Sequence, residues 1–191
     1  IVDEGDPLNT LLYNKSLDNI KSLNIFKNVK GEVNDGSTED LKIIDIAVEE
    51  APTGEISLAA GVGTSGSTIG GGITERNFLG KGINLRSFLE LSEDSVKGEF
   101  VYAKPNFAYS ENTLFTSLSS TTNDKLSDFG YKVSELGFSV GTEFEQYENL
   151  FFSPKIQTTK EDLETNVNAS KSLKKQEGNY TDFYFNYGLD Y

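Results

Sequence analysis

The sequence predicts a mainly β protein, with a small α/β module over residues 1–51 and an antiparallel sheet of about eight strands over residues 52–191. The first observation is a change in apolar spacing at Pro52. Before Pro52 the apolar residues fall at helical and short-strand spacings, and after it they fall almost everywhere at alternate positions. Alternation places them on one face of each strand. The second observation is that the segments are about ten residues long, the length that a tilted strand needs to cross a bilayer.

Composition narrows the class of protein. The 191 residues include 30 acidic and 17 basic side chains, a net charge of −13, which argues against a nucleic-acid groove because such a groove needs clustered Lys and Arg. The chain has no Cys for a disulfide or a thiolate metal site, and no His, the commonest general base and metal ligand. No apolar run approaches the roughly 18 residues of a transmembrane helix. Because Met is absent, we expect the chain to be a piece of a longer protein.

The N-terminal module is predicted to be a helix followed by a β-hairpin. Asp6 is the expected N-cap, with Pro7 in the first helical position, and Asn24 is expected to end the helix in a left-handed conformation. Residues 34–36, Asn-Asp-Gly, are a hairpin signal, and the return strand is expected from Leu41 to Glu50. A unit of about 50 residues is marginal alone, so further residues are expected upstream.

The stretch from Pro52 to Gly82 is predicted to form the first hairpin of the large sheet. A turn of small residues, Thr64 to Ser67, is expected to return the chain into a second strand. Three consecutive glycines at 70–72 in that strand predict a bulge or an adjustment of twist. The residues that share the apolar face of the first strand are Ile56, Leu58, Ala60 and Val62.

Six further strands follow from the same alternation. The links between strands alternate between tight and loose, and the two longest, Thr122–Gly130 and Lys160–Gly178, fall at the same end of the sheet, as in an outer-membrane barrel. The last link is expected to hold a short helix. The other links at that end are Thr64–Ser67 and Ser92–Ser95, and those at the opposite end are Asn77–Gly82, Lys104–Asn112 and Glu145–Asn149. The six strands cover Ile83 to Leu91, Val96 to Tyr102, Thr113 to Thr121, Leu136 to Phe144, Leu150 to Gln157 and Asp182 to Tyr191.

Periodicity does not decide which way the apolar face points. A transmembrane barrel turns this face towards lipid. A lipocalin-like barrel or a β-sandwich buries the same face in a protein core. The pattern alone leaves both interpretations open.

Short motifs resemble those of the BamA family of outer-membrane protein assembly factors. Leu23–Val29 resembles the L-G-x-F-x-x-V signature of the helix-to-strand junction in the family's POTRA domains, with Asn24 in place of the usual Gly. Arg76–Gly82 resembles the family's N-x-L-G-x-G turn between the second and third barrel strands, and Tyr102–Phe107 resembles the P-x-F turn that ends the fourth. Thr181–Gly188 resembles the eighth strand. The matching motif residues are Leu23, Phe26, Val29, Asn77, Phe78, Leu79, Gly80, Gly82, Pro105 and Phe107.

The resemblance implies the C-terminal part of a POTRA domain over residues 1–51 and the N-terminal half of a transmembrane barrel of roughly sixteen strands over residues 52–191. It implies a non-enzymatic protein of the Gram-negative outer membrane that folds and inserts client β-barrels, with its N-terminal module in the periplasm. The implied partners are unfolded outer-membrane β-barrel proteins, periplasmic accessory lipoproteins and outer-membrane lipid, without nucleic acid. No catalytic residue, metal or cofactor is expected.

In the family, the first and last barrel strands meet in a weak seam that opens as a lateral gate. The matching strand here is Gly54 to Thr64, whose side chains are small or aliphatic after Glu55. Two alternatives remain: a polypeptide-secretion pore of the same superfamily, and a soluble or surface β-sheet protein that binds a ligand. The candidate gate residues are Gly54, Ile56, Leu58, Ala60, Gly61, Val62 and Gly63.

Overall fold

The structure is a computed structural model that describes residues 2, 4–38, 40–63 and 66–191. The chain forms two compact units, Ile1–Thr53 and Gly54–Tyr191. The first, here called the N-terminal unit, contains helix α1 (Thr10–Ser22) and strands β1 (Phe26–Asp35) and β2 (Lys42–Glu50). The second, here called the sheet unit, contains the remaining strands.

Helix α1 begins later than predicted. Its N-cap is Asn9 and not Asp6, because the Asn9 side chain accepts hydrogen bonds from the backbone N–H groups of Leu11 (2.9 Å) and Leu12 (3.3 Å). These bonds satisfy two of the free N–H groups of the first turn. The predicted end is confirmed, since Asn24 follows the helix with a left-handed φ of 54°.

The helix packs on β1 over a glycine. A Cβ atom at Gly31 would lie 2.3 Å from the Tyr13 hydroxyl and 3.0 Å from the Leu17 methyl groups, so a larger residue there would displace these helix side chains. The buried hydrophobic residue described in this unit is Ile25. On β2, Ile43, Ile46 and Val48 are exposed and Ile44 is half-buried, so the described part of the unit has little core.

The sheet unit is an eight-stranded antiparallel sheet in which each strand pairs with the next along the chain. This confirms the prediction of a mainly β fold with about eight antiparallel strands. Among the described residues β3 and β10 form the two edges, and the sheet is not closed. The strands are β3 (Gly54–Gly63), β4 (Gly66–Phe78), β5 (Ile83–Ser92), β6 (Ser95–Lys104), β7 (Thr113–Lys125), β8 (Tyr131–Tyr147), β9 (Leu150–Thr165) and β10 (Gly178–Asp190).

One face of this sheet, here called the apolar face, is continuous and exposed. The apolar residues of neighbouring strands lie side by side in the register: Leu118 lies opposite Phe138, and Val140 lies opposite Ile156. A soluble barrel would bury such side chains in its core, whereas here they remain uncovered. The exposed members include Ile56, Leu58, Val62, Ile69, Ile73, Leu89, Leu91, Val96, Phe100, Leu118, Leu136, Phe138, Val140, Ile156, Phe183, Phe185, Tyr187 and Leu189.

The opposite face, here called the polar face, carries charges that pair between neighbouring strands. Arg86 of β5 lies 3.5 Å from Glu99 of β6, and Lys97 of β6 lies 3.3 Å from Glu90 of β5. On β7 and β8, the Ser117 and Ser139 hydroxyl groups are 2.7 Å apart. The polar face is therefore suited to contact with water.

The glycines at 70–72 do not form a bulge. The pairing of β4 with β3 and with β5 runs through them without a register shift. Gly70 and Gly72 make room for the ring of Phe88, which would lie 3.2 and 3.3 Å from Cβ atoms at these positions, and Gly71 faces Leu58 on the other side. The predicted bulge is wrong, because what the glycines accommodate is a side chain on a neighbouring strand.

Strands β7, β8 and β9 contain 13, 17 and 16 residues and are longer than predicted. Their extensions are polar, but backbone pairing continues through them, and the links shorten to residues 126–130 and 166–177. The short helix expected in the last link is present as α2 (Lys171–Lys175). Thr64 and Ser65 of the first predicted turn lie outside the described residues, and Ser67 belongs to β4.

The two long links pack together in a region here called the loop cap, formed by residues 126–130 and 163–170. Asn166 joins them: its backbone N–H donates to the Gly130 carbonyl (2.9 Å), and its side-chain amide donates to the Leu126 carbonyl (2.8 Å). Leu163 and Ala169 are among the most buried hydrophobic residues described. The loop cap is thus held together by hydrogen bonds and contains buried apolar residues.

Candidate functional site

The candidate site is the edge strand β3. Among the described residues it pairs only with β4, and all ten of its residues are exposed. Such an edge presents a row of unpaired backbone N–H and C=O groups that can template another strand. The apolar face of β3 is almost bare, with Ile56, Leu58 and Val62 exposed by 76%, 85% and 88%.

The far end of β3 has almost no side-chain contacts. A Cβ atom at Gly61 or Gly63 would meet no heavy atom within 4 Å, and neither glycine has a positive φ. Larger residues would therefore fit at both positions without strain. Thr64, the predicted last residue of this strand, lies outside the described residues.

The beginning of β3 is held more firmly. The Glu55 carboxylate lies 2.8 Å from the Arg76 guanidinium of β4, and the Ser57 hydroxyl donates a 3.5 Å hydrogen bond to the Gly72 carbonyl. Gly54 starts the strand directly opposite Glu75. The side-chain ties described for β3 are thus concentrated near Gly54.

The residues of the N-x-L-G-x-G motif form the turn between β4 and β5, and its hydrogen bonds account for their spacing. The Asn77 side chain accepts a 2.7 Å hydrogen bond from the backbone N–H of Gly82, and the Asn77 carbonyl accepts from Gly80 N–H at 2.9 Å. Leu79, Gly80 and Gly82 have φ angles of 59°, 69° and 63°. Glycine adopts this left-handed region at little cost. Phe78, the last residue of β4, pairs with Ile83 after a register shift.

The turn that follows β6 also depends on left-handed backbone. Asn106 has a φ of 50° and Ala108 a φ of 56°, and Phe107 N–H donates to the Asn112 carbonyl at 2.9 Å. The Lys104 ammonium lies 5.9 Å from the centre of the Phe107 ring, within the range of a cation–π contact. Pro105 begins the turn directly after β6.

The junction residues lie in the N-terminal unit. Leu23 is the C-cap of α1, Phe26 is the first residue of β1, and Val29 lies opposite Val48 of β2. Ile25, which the motif does not include, is the most buried of the junction residues. The sequence predicts Ile25 as the first apolar residue of the first strand, whereas in the structure β1 begins at Phe26.

The structure places the Asn77 turn, which joins β4 to β5, next to the start of β3, because Gly54 lies opposite Glu75. The Pro105 turn lies at the same end of the sheet but follows β6. Sequence reasoning missed the contact between Glu55 and Arg76. The sequence contained the information for this contact, because a hairpin in which Gly63 pairs with Gly66 places residue 55 close to residue 76.

Two features are absent from the described residues. No group of three or more His, Cys, Asp or Glu residues there is arranged to hold a metal ion. None of the helices in this part of the chain has the length and apolar character required to span a membrane.

The chain was then compared with known proteins. No protein-family model matches it, and no curated protein matches it. Among solved structures it is similar to the crystal structure of BamA from Haemophilus ducreyi lacking POTRA domains 1–3, with a TM-score of 0.74 and 23% sequence identity. The match covers 99% of this chain and 38% of that chain, so this chain spans well under half of the matched protein's length. The likeness shows a BamA-like β-barrel fold.

Proposed function

We propose that the chain is part of an outer-membrane protein assembly factor that folds and inserts client β-barrels, and that β3 is its lateral-gate strand. The observation that carries the proposal is the combination of an exposed apolar face with a free, sparsely contacted edge in β3. The BamA-like fold supports it. The work is non-enzymatic and needs no cofactor.

The physical basis is the cost of unpaired backbone in hydrocarbon. Each unsatisfied N–H or C=O group costs several kcal/mol where no water can reach it, so a client strand that pairs with β3 is strongly favoured. The seam must also open easily. Gly61 and Gly63 offer no side chains for cross-strand contact, which weakens the seam because such pairs are a main source of sheet stability.

The apolar face then meets the lipid of the outer membrane, and the polar face with its ion pairs encloses water. The N-terminal unit is the C-terminal part of a POTRA domain and lies in the periplasm. Its helix-and-hairpin arrangement and its left-handed Asn24 support this assignment. The partners are unfolded outer-membrane barrels and periplasmic accessory lipoproteins.

The test is to place valine at Gly61 and Gly63 in the full-length protein. A Cβ at either position meets open space, so the barrel itself should fold normally. Each new cross-strand contact is worth about 0.2–1 kcal/mol, so two of them should slow gate opening by about twofold to thirtyfold. The measurement is the folding rate of an unfolded client barrel added to vesicles that contain the protein.

The matched control is Gly98→Val. Gly98 lies in β6, which has partners on both sides, and a Cβ there meets only Leu89 at 3.9 Å. Its client-folding rate should equal that of the unmodified protein. Unchanged client folding in the Gly61/Gly63 double variant would count against the gate assignment. Passage of unfolded polypeptide across the vesicle wall without client insertion would favour a secretion pore of the same superfamily.

Partition of the protein into the aqueous phase, without detergent, would favour the soluble ligand-binding alternative. The uncovered apolar face argues against that outcome, because its many exposed aliphatic and aromatic side chains would form a patch far larger than soluble monomers carry.

A further inference from the structure

The firmest side-chain tie of β3 lies where the strand begins. The Glu55 carboxylate accepts a 2.8 Å hydrogen bond from the Arg76 guanidinium, and the two side chains are 56% and 38% exposed. Glu55 lies directly opposite Thr74. Arg76 is two residues further along β4, so the ion pair crosses the open end of the hairpin diagonally.

The rest of this hairpin specifies its register poorly. Register is normally set by bulky side chains and by the turn, and it is weakly specified in glycine-rich strands. A slip of two residues also keeps every side chain on its own face, so the apolar pattern does not oppose it. In one direction such a slip would place Ala60 opposite Ser67 instead of Ile69, and in the other direction opposite Gly71. The glycines of the two strands are Gly54, Gly61, Gly63, Gly66, Gly70, Gly71 and Gly72.

We propose that Glu55 and Arg76 are positioning residues that keep β3 from slipping along β4 into the register in which Ala60 lies opposite Ser67. That slip moves the two charges apart by about 7 Å along the strand, whereas the opposite slip would place Glu55 directly opposite Arg76, so the pair opposes the first slip only. The pair thereby limits the shift of the free edge of β3 in one direction. Its effect on client insertion rests on the proposed function, whereas the register can be measured independently of that function.

The ion pairs between β5 and β6 make a useful contrast. Arg86 and Glu99 join strands that are paired on both sides, and Phe100 lies opposite Ser87 in the same hairpin. Backbone bonds to the flanking strands β4 and β7 help to hold that register. The Glu55–Arg76 pair acts on a strand with only one neighbour.

The test uses cysteine pairs in the full-length protein, since the chain described here has no native Cys. Ala60→Cys with Ile69→Cys reports the native register, and Ala60→Cys with Ser67→Cys reports a slip of two residues. All three side chains are exposed on the apolar face. Loss of a partly exposed ion pair in Glu55→Gln should raise the ratio of slipped to native cross-link by about twofold to fivefold.

Charge reversal tests whether attraction between the two side chains sets the cross-link ratio. Glu55→Arg places two like charges together and should raise the ratio further, and the double variant with Arg76→Glu should restore the native value. Glu99→Gln is the matched control and should leave the ratio unchanged. Only variants that migrate as folded protein in electrophoresis are scored. If charge reversal prevents folding, Glu55→Gln still tests the proposal, because it preserves the size of the side chain.

A ratio in Glu55→Gln no higher than in Glu99→Gln would overturn the proposal, as would failure of the swapped pair to restore the ratio. A shift in register with unchanged client folding would support the positioning role and count against the proposed function. Client folding is measured on the same variants without the cysteines.

Discussion

An arginine at Val140 should destabilise the protein strongly if the apolar face contacts lipid. Val140 lies near the middle of the outward positions of β8, and it lies opposite Thr116 and Ile156. In a transmembrane barrel, Arg at the bilayer midplane costs about 2–4 kcal/mol of unfolding free energy. We expect a cost of that size for Val140→Arg.

The cost should depend on depth. Leu136 lies four residues nearer the loop cap than Val140, which is about 10 Å higher in a tilted strand. It lies opposite Lys160, the first charged residue on this face of β9, so it marks the border of the apolar band. Because Arg costs only about 0–1 kcal/mol near the interface, Leu136→Arg should be far milder than Val140→Arg.

The matched control is Thr159→Arg on the polar face. Threonine has nearly the shape of valine, and Thr159 lies opposite Gly137, which leaves room for a longer side chain, and opposite Asp182, whose charge is favourable. We expect a change within about 0.5 kcal/mol. The assay is guanidinium unfolding of the full-length protein in vesicles, followed by circular dichroism. Equal costs at Val140 and Thr159, or a larger cost at Thr159, would show that the apolar face does not meet lipid.

Three further predictions concern local geometry. Asn77→Ala removes the hydrogen bond from Gly82 N–H. It should lower the unfolding free energy by about 0.5–1.5 kcal/mol, measured in the same unfolding assay. An unchanged unfolding free energy would mean that water replaces the amide. Gly141→Ala places a Cβ 2.7 Å from a backbone carbonyl and 2.5 Å from an aromatic ring and should cost about 1–3 kcal/mol, while an unchanged midpoint would contradict the packing. The Lys42 ammonium lowers the pKa of the Asp35 carboxyl below its ordinary 3.8. This pair therefore stabilises the hairpin above that pH, and the stabilisation is lost as the pH falls through the lowered pKa. NMR titration should show a higher pKa of Asp35 in Lys42→Ala.

The two faces of the sheet were predictable because strand alternation is a local property. Every second residue from Ile56 to Val62 is apolar, and the same holds in later strands, so each strand reveals its own faces. The lengths of β8 and β9 were not predictable. Their polar ends lack alternation, and they remain strands because the backbone of each pairs with a neighbour.

Non-local contacts account for the other differences. The glycines at 70–72 look the same whether they form a bulge or make room for a ring, and the ring of Phe88 is supplied by the next strand. At the helix start, Asp6 and Asn9 are both good caps, and the choice depends on which one the first helical N–H groups reach. For the candidate site, the small side chains of β3 were readable, but the contact of Glu55 with Arg76 required the register.

The loop cap couples the two connections at this end of the sheet. Asn166 joins the two connections by bonds to Leu126 and Gly130, and a Cβ at Gly130 would strike the Ala169 backbone at 2.3 Å. A change of backbone conformation in one connection at these residues would therefore disturb the other. Any molecule that binds this end of the sheet would meet both connections as one surface.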